Sequence, residues 1–588
     1  MRVTHSNPDR RARPDTSPTL WPDIFLSLGI FSLAFAVRIS YLFQIKSFPL
    51  FYHLVGDARS YDEWAQRIAA GDWLGREVFY QAPLYPYFLG LLQFLIGRDL
   101  WWIRVIQIAL GALSCSLVYW AGKSFFDRPA GIAAALIVSL YAPAIFSDGL
   151  LQKSVLDVFL VSLALALLAG APGRPDGAIL MASGIVLGLL ALSRENALIW
   201  LLVVPAWIWL FWAEHPVRRR ARWLGAFLLG ASLVLLPVGL RNLTVGGVFT
   251  LTTAQLMGPN FFMGNNPRAD GTYIPFRAGR GDPKYERQDI AELAEQAVGR
   301  PLSPGEVSAY WLRRSWDYIR SQPVDWLRLL GRKWMLLWNV RELEDADDFY
   351  LYERWSAVLG ALGWTTSFGW LAPLAAVGGV LTWQQWRRLS LLYALLLSFA
   401  LAVTLFIVVG RYRMAMVPML ALFAGAFLGC GGSIVRERRF RQGVVALGVL
   451  LLALAVVHWP VMGKPGPSAT GLNNLGTAFV AEGRLSMAVQ SYRLALQVEP
   501  KSLVVHYNLA NALITQGQLD AARHHLEEAV RINPSYAEAH QRLGEVMAVR
   551  GDLETATIHF REAIRIRPGF AEAEQALARA LLLQSRKR

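Results

Sequence analysis

About eleven stretches of roughly 20 mostly apolar residues, the length an α-helix needs to cross a bilayer, occupy the first 461 residues of this chain. They begin near Ile24, Trp102, Ala130, Gln152, Ala178, Asn196, Trp223, Ser356, Leu389, Tyr412 and Gln442. With 54% hydrophobic and 17% charged residues the chain is too apolar for an ordinary soluble enzyme, and it reads as an all-α, polytopic membrane protein. The first stretch, Ile24 to Ile45, is too long for a signal-peptide core and is followed by no small-residue cleavage site, so it is a membrane helix.

An odd number of spans puts the two ends on opposite sides, and the basic residues choose which. Seventeen Lys and Arg fall in the tail and in the short connections on its side, in clusters such as Arg10, Arg11 and Arg13, Arg218 to Arg220, and Arg438, Arg439 and Arg441. About four, Lys153, Arg194, Arg411 and Arg413, fall in the short connections opposite. That bias keeps the tail in the cytoplasm and sends the C-terminus outside. The net charge of +15 is thereby explained by topology, with no call on nucleic acid. Both cysteines, Cys115 and Cys430, lie in apolar stretches, so no disulfide framework or Cys-based zinc site is on offer.

Two long outer segments remain. In 48–101, "SYDEWAQRIAAG" and "PLYPYFLGLLQFLIG" have helical patterning but are short for a span, and are expected to lie in the interface. In 242–354, "MGPNFFMGNNPRADGTY" has the Gly, Asn and Pro of an irregular loop, with Trp-rich helical stretches after it. Beyond the linker 462–468 the composition changes. Pro500, Pro534 and Pro568 recur every 34 residues, as do Gly483, Gly517 and Gly551, the period of tetratricopeptide (TPR) repeats. Three repeats and a capping helix, "FAEAEQALARALLLQSRKR", are expected in 469–588, a solenoid suited to a protein or peptide partner.

Candidate chemistry collects at the outer boundary. "GRYRMAMVP" sets Arg411 and Arg413 at the outer end of a membrane helix, where two guanidinium groups suit an anionic partner such as phosphate; snorkelling to lipid headgroups is the alternative. Asp57, after a glycine in "HLVGDARSYDEWA", could serve as a base or as a helix N-cap, while Asp62 and Glu63 are expected to be solvated. Asp148 and Lys153 fall at a short outer turn, and Asp157, one helical turn further on, could be neutralised by Lys153. Arg194 and Glu195 are expected to pair with each other, and the acidic run "ELEDADD" to be a solvated loop or a divalent-cation ligand set.

In this order the pieces resemble the polytopic glycosyltransferases of the C superfamily (GT-C), especially the family that includes protein O-mannosyltransferases and lipid A aminoarabinose transferases. The resemblance rests on "GDARSYDEWAQRIAAGDW", "YQAPLYPYFLGLL", "LSRENAL", "RNLTVGG" with "NFFMGNNPRADGTY", and "GRYRMAMVP". It implies transfer of a sugar from a polyprenyl-phosphate donor to an acceptor on the outer face of a bacterial cytoplasmic (inner) membrane, with no cofactor or metal required. Carried onto this chain, it makes Asp57 the catalytic base, Arg411 and Arg413 the donor-phosphate ligands and Tyr85 a residue at the lipid-phosphate entrance. Lys153 stands where relatives often place a carboxylate, leaving it, Asp148 and Asn265 as candidate second acid or substrate contacts. The chain then divides into a cytoplasmic tail, 1–20, a membrane domain, 21–461, the linker and the repeats. A non-catalytic TPR scaffold and a lipid-linked glycan transporter are the competing functions.

Overall fold

The computed structural model describes residues 21–170, 176–253, 257–277, 283–343, 345–436, 440–463 and 465–587. The basic tail 1–20, Arg174, Glu344, Arg438 and Arg439 lie outside the described residues, as do the side chains of Cys430 and Arg436. Among the described residues every regular element is a helix.

Helix α1 (Trp21–Ile45) leads into the two helices of the first loop, α2 (Gly56–Ala69) and α3 (Leu84–Ile96). The bundle continues through α4 (Leu100–Phe125), α5 (Arg128–Leu140), α6 (Ala142–Asp148), α7 (Ser154–Ala169), α8 (Gly177–Ser193), α9 (Trp200–Phe211) and α10 (Val217–Gly246). The long loop folds into α11 (Met257–Gly264), α12 (Pro283–Val298), α13 (Pro304–Ser321) and α14 (Pro323–Leu337), and α15 (Phe349–Trp355) follows. Apolar helices α16 (Ala357–Thr365), α17 (Phe368–Thr382) and α18 (Trp386–Leu405), the single turn α19 (Gly410–Arg413), α20 (Val417–Arg436) and α21 (Phe440–Val457) complete the membrane domain. Part of the stretch read as irregular is therefore helical: "MGPNFFMG" forms α11, docked where the Gly258 amide donates to Ser308 Oγ on α13.

Helices stand at all eleven expected positions. Among the described residues six helical stretches are long and apolar enough to cross a membrane, one of them the run Ala357–Leu405, and seven if the α5–α6 pair counts as one span. That pair bends by 58° because Tyr141 is extended and Pro143 starts the next helix. The others, α7, α8 and the run Glu195–Phe211, are shorter apolar helices.

Within the bundle α8 and α10 approach one another closely at glycines, as expected where lipid removes the hydrophobic drive and leaves packing to hold helices together. A Cβ on Gly184 of α8 would come within 2.1 Å of the Phe227 carbonyl oxygen on α10, and one on Gly230 within 2.0 Å of the Met181 carbonyl oxygen. The opposite side of α10 exposes Leu229, Leu233, Leu236 and Leu240, a face for lipid.

The repeats follow as α22 (Ala469–Ala481), α23 (Leu485–Val498), α24 (Leu503–Thr515), α25 (Leu519–Ile532), α26 (Ala537–Val549), α27 (Leu553–Ile566) and α28 (Ala571–Lys587). Paired helices interlock through the repeated small and aromatic positions: the Tyr492 ring fills the space beside Gly476, and Phe560 does the same beside Gly544. A second device recurs at the repeat length, since His506 meets His525 and His540 meets His559, each with Nδ1 atoms 3.1 Å apart.

Gly184→Leu or Gly230→Leu is expected to destabilise the membrane domain by about 1–3 kcal/mol through overpacking. Gly225→Ala, where an added Cβ meets nothing within 4 Å, should leave the thermal melting of the detergent-solubilised protein unchanged.

Candidate functional site

The chain turns sharply into α2 at Gly56, whose φ of +54° is a left-handed conformation that a side chain would resist. Asp57 follows in the first turn. Val55 occupies the cap position and no side chain caps the helix, so the N-cap alternative for Asp57 does not hold. Its carboxylate turns inward instead, accepting from Arg411 Nη1 at 2.5 Å and from Gln81 Nε2 at 3.2 Å. Arg411 also donates to Gln152 Oε1 at 3.2 Å and sets its Nε 2.9 Å from Asp345 Oδ2. One guanidinium thus joins the first loop, the turn before α7 and the acidic run. The Arg411 and Asp57 side chains keep 18% and 16% of their surface exposed, whereas Arg413 keeps none.

Electrostatics around this contact are uneven. Burial pushes the Asp57 carboxyl up, but the Arg411 charge and hydrogen bond, with help from Lys153 and Gln81, bring it below its ordinary value. Asp345 ends above its ordinary value, because burial and the Asp57 charge outweigh Arg411. Lys153 is pushed down to about 8, by burial and then by Arg194. Glu286 on α12 is pushed up to about 7, by burial and then by the Asp57 charge.

Several expected site residues lie elsewhere. Arg413 is fully buried, donating to the Asn339 and Arg341 carbonyls at 2.5 and 2.8 Å and to Glu342 Oε2 at 2.7 Å, over the face of Phe368. It fastens 339–342 to α19 and has no open face for phosphate. Tyr85 is fully buried too, its hydroxyl on Gln107 Oε1 at 2.7 Å and its ring against Tyr61, so it lines no entrance. Asp148 is buried in an ion pair with Arg38 Nε at 2.7 Å, which removes it as a second acid. Asn265, buried at the end of α11, donates to the Phe261 and Leu405 carbonyls and accepts from Trp326 and Lys333. It supports the long loop.

Other expectations change partners. Asp157 pairs with Arg194, 2.6 Å away, and accepts from Ser193, while Glu195 accepts from Thr253. Lys153 is thereby left without an ion pair among the described residues. Asp62 is buried under Arg98, Gln93 and Gln66, whereas Glu63 is exposed as expected. The described residues of the acidic run, Glu344 lying outside them, find partners in the protein and do not converge as a ligand set. Glu342 takes Arg413, Asp345 takes Arg411, Asp347 accepts from Tyr352, and Asp348 caps α15. Among the described residues no group of three or more His, Cys, Asp or Glu converges to hold a metal ion.

A cavity of about 40 Å³ behind Arg411 is bounded by Gln152, Ser154, Glu342, Asp345 and Asp347, too small for a sugar. A larger one of about 330 Å³ opens between α2 and α22. Sequence reasoning missed Asp345, Gln81, Gln152 and Glu286. Gln81 adjoins "APLYP" and Asp345 sits mid-run, so both were in view, but only the folded chain brings Gln81 to Asp57 and Asp345 to Arg411.

Residues 80–239 match the family described as dolichyl-phosphate-mannose-protein mannosyltransferase, and 469–502 and 507–571 match tetratricopeptide repeat families. The GT-C resemblance with C-terminal repeats is thereby supported. The first match includes Lys153 but neither Asp57 nor Arg411. No curated protein matches the chain. Among solved structures the repeats are similar to MamA, 26% identical over 20% of this chain and 68% of that one, with a TM-score of 0.20. They are also similar to the first TPR domain of the human RPAP3 protein, 24% identical over 20% of this chain and 94% of that one, TM-score 0.20.

Arg413→Ala would strand buried Glu342, and is expected to cost about 3–5 kcal/mol. Tyr85→Phe removes one hydrogen bond and should cost about 1 kcal/mol. Thermal melting in detergent checks both, and Arg411→Ala, which leaves Asp57 and Asp345 without their shared counter-ion at a position 18% exposed, should lower the melting temperature less than Arg413→Ala does.

Proposed function

We propose, from the premise of a multi-pass GT-C-type membrane glycosyltransferase that the 80–239 match supports, that this protein moves a sugar from a polyprenyl-phosphate donor to a protein acceptor. The transfer takes place outside the cytoplasmic membrane, with the tail in the cytoplasm and the repeats on the side of the reaction. The observation that carries the reading is the contact between Asp57 and Arg411, 2.5 Å apart in space and 354 residues apart in sequence, at a partly open face.

The chemistry follows from these groups. A phosphate monoester leaves without protonation, so one base and a cationic clamp suffice, whereas a glycosidase needs a second carboxyl to protonate its leaving oxygen. The acceptor hydroxyl oxygen attacks the anomeric carbon while its proton passes to Asp57. The bond from that carbon to the phosphate oxygen breaks, its electron pair leaves with the phosphate, and the anomeric configuration inverts. Arg411 meets the growing phosphate charge, with the Lys153 ammonium as the second cation.

In the resting site Arg411 and Asp57 neutralise one another, and donor binding changes that. Phosphate draws the guanidinium away from Asp57, the carboxyl loses the charge that held it low, and it becomes a stronger base as its substrate arrives. The acid limb of kcat, which reports the loaded site, is therefore expected at higher pH than that of kcat/KM, which reports the free enzyme.

Asp57→Asn should bind the lipid donor while losing about 10²–10⁴ in transfer rate. Arg411→Ala should lose the donor itself, read as lipid co-purifying with the protein by mass spectrometry. Full transfer by Asp57→Asn would sink the base assignment, and lipid movement without bond cleavage would point to a transporter. On the alkaline side, Lys153 releases its proton near pH 8, so donor KM should rise through that region and the rise should vanish in Lys153→Gln.

A further inference from the structure

The residues that present Asp345 to Arg411 are gripped from both sides. Asp348, 2% exposed, caps α15 with Oδ1 on the Tyr350 amide and turns Oδ2 to the Ser468 amide at 2.6 Å. Ser468 in turn caps α22, accepting from the Gly471 amide. One turn along α22, Asn474 Nδ2 donates to the Ala346 carbonyl at 2.8 Å. Gly471 makes room for this docking, since a Cβ there would lie 2.6 Å from Asp348 Cβ. On the opposite side Ala346 abuts Gly56, where an added Cβ would lie 2.8 Å from Ala346 Cβ.

Ala346 is therefore wedged between the first helix of the repeats and the glycine that precedes Asp57, and its own neighbour Asp345 contacts Arg411. The geometry points to the first tetratricopeptide repeat being a wall of the reaction centre, with Asn474 a positioning residue that sets the Asp345–Arg411 contact through the Ala346 carbonyl. This inference rests on the donor-binding role proposed for Arg411.

The physical basis is orientation. An arginine side chain is long and has many rotamers, and a carboxylate on its Nε edge leaves the Nη groups aimed at the Asp57 side. Without Asn474 the segment 345–348 keeps its covalent path but loses the hydrogen bond that fixes its height against α2. Arg411 then samples more orientations, and phosphate has to gather it.

The test uses the full-length chain in detergent, with undecaprenyl phosphate as the binding probe. Asn474→Ala should raise its Kd about threefold to tenfold, in the range by which residues without ligand contact alter a coupled site. Donor KM should rise by the same factor, with kcat within about twofold. Gly471→Ala should act alike, because it displaces Asp348 without removing a polar group. Asn508→Ala, one 34-residue repeat further on, should bind and turn over like wild type, with all three variants matched for thermal melting. Wild-type Kd in both Asn474→Ala and Gly471→Ala, or an equal loss in Asn508→Ala, would overturn the inference. Failure of the wild-type chain to bind the probe would instead overturn the donor reading, and this inference with it.

Discussion

A guanidinium shared among carboxylates from distant parts of the chain is the constraint around which the site is arranged. Arg411 takes Asp57 from the first loop and Asp345 from the acidic run, and Gln152 from the turn before α7 completes the set. Each carboxylate near it would be costly to bury alone, so each depends on the one arginine they share. The neighbouring Arg413 bears the mechanical load by holding 339–342 through two carbonyls and Glu342, which leaves Arg411 to face outward. Of two arginines two residues apart, one thus fastens the chain and the other keeps an open face.

The bundle and the solenoid were legible because both are periodic. Apolar length announces a membrane helix wherever it falls, and a 34-residue recurrence announces a helix pair. Asp57 and Arg411 were legible through short motifs, but their contact was not, because nothing local in a sequence pairs residues 354 apart. The errors share one cause. Asp148, Asp62 and Asp157 look alike in a sequence, polar residues beside apolar ones, yet each is matched by an arginine from another helix or loop, Arg38, Arg98 or Arg194. Burial with a partner cannot be distinguished from solvation until the partner is known. Tyr85 and Arg413 fail in the reverse sense, since their motif suggests a ligand and the fold gives them protein.

The repeats are joined to the membrane domain by more than the linker. Ser468 and Asn474 hold the acidic run, and His53 approaches Glu482 at 3.9 Å. Helix α21 shows the other half of the joint. Most of its surface is free of protein contact, yet its end is pinned where the Val457 carbonyl accepts from the Val340 amide and from Asn339. The same Asn339 gives its carbonyl to Arg413. Anchor, linker and repeats therefore meet the site at one short stretch of chain.

The separation of Asp57 from Arg411 also bears on how such a site can be made. Ribosomes add about 5–20 residues per second, so the 354 residues between them take roughly 20–70 s to synthesise. Throughout that interval Asp57 exists without its counter-ion, and a bare carboxylate does not settle into a dry interior. The first loop has to wait in water while the helices after it enter the membrane one by one. It can close only when α19 arrives, and the wedge at Ala346 is complete only after α22 has emerged. Assembly of this centre runs backwards relative to synthesis: the first acid to be made is among the last to be docked.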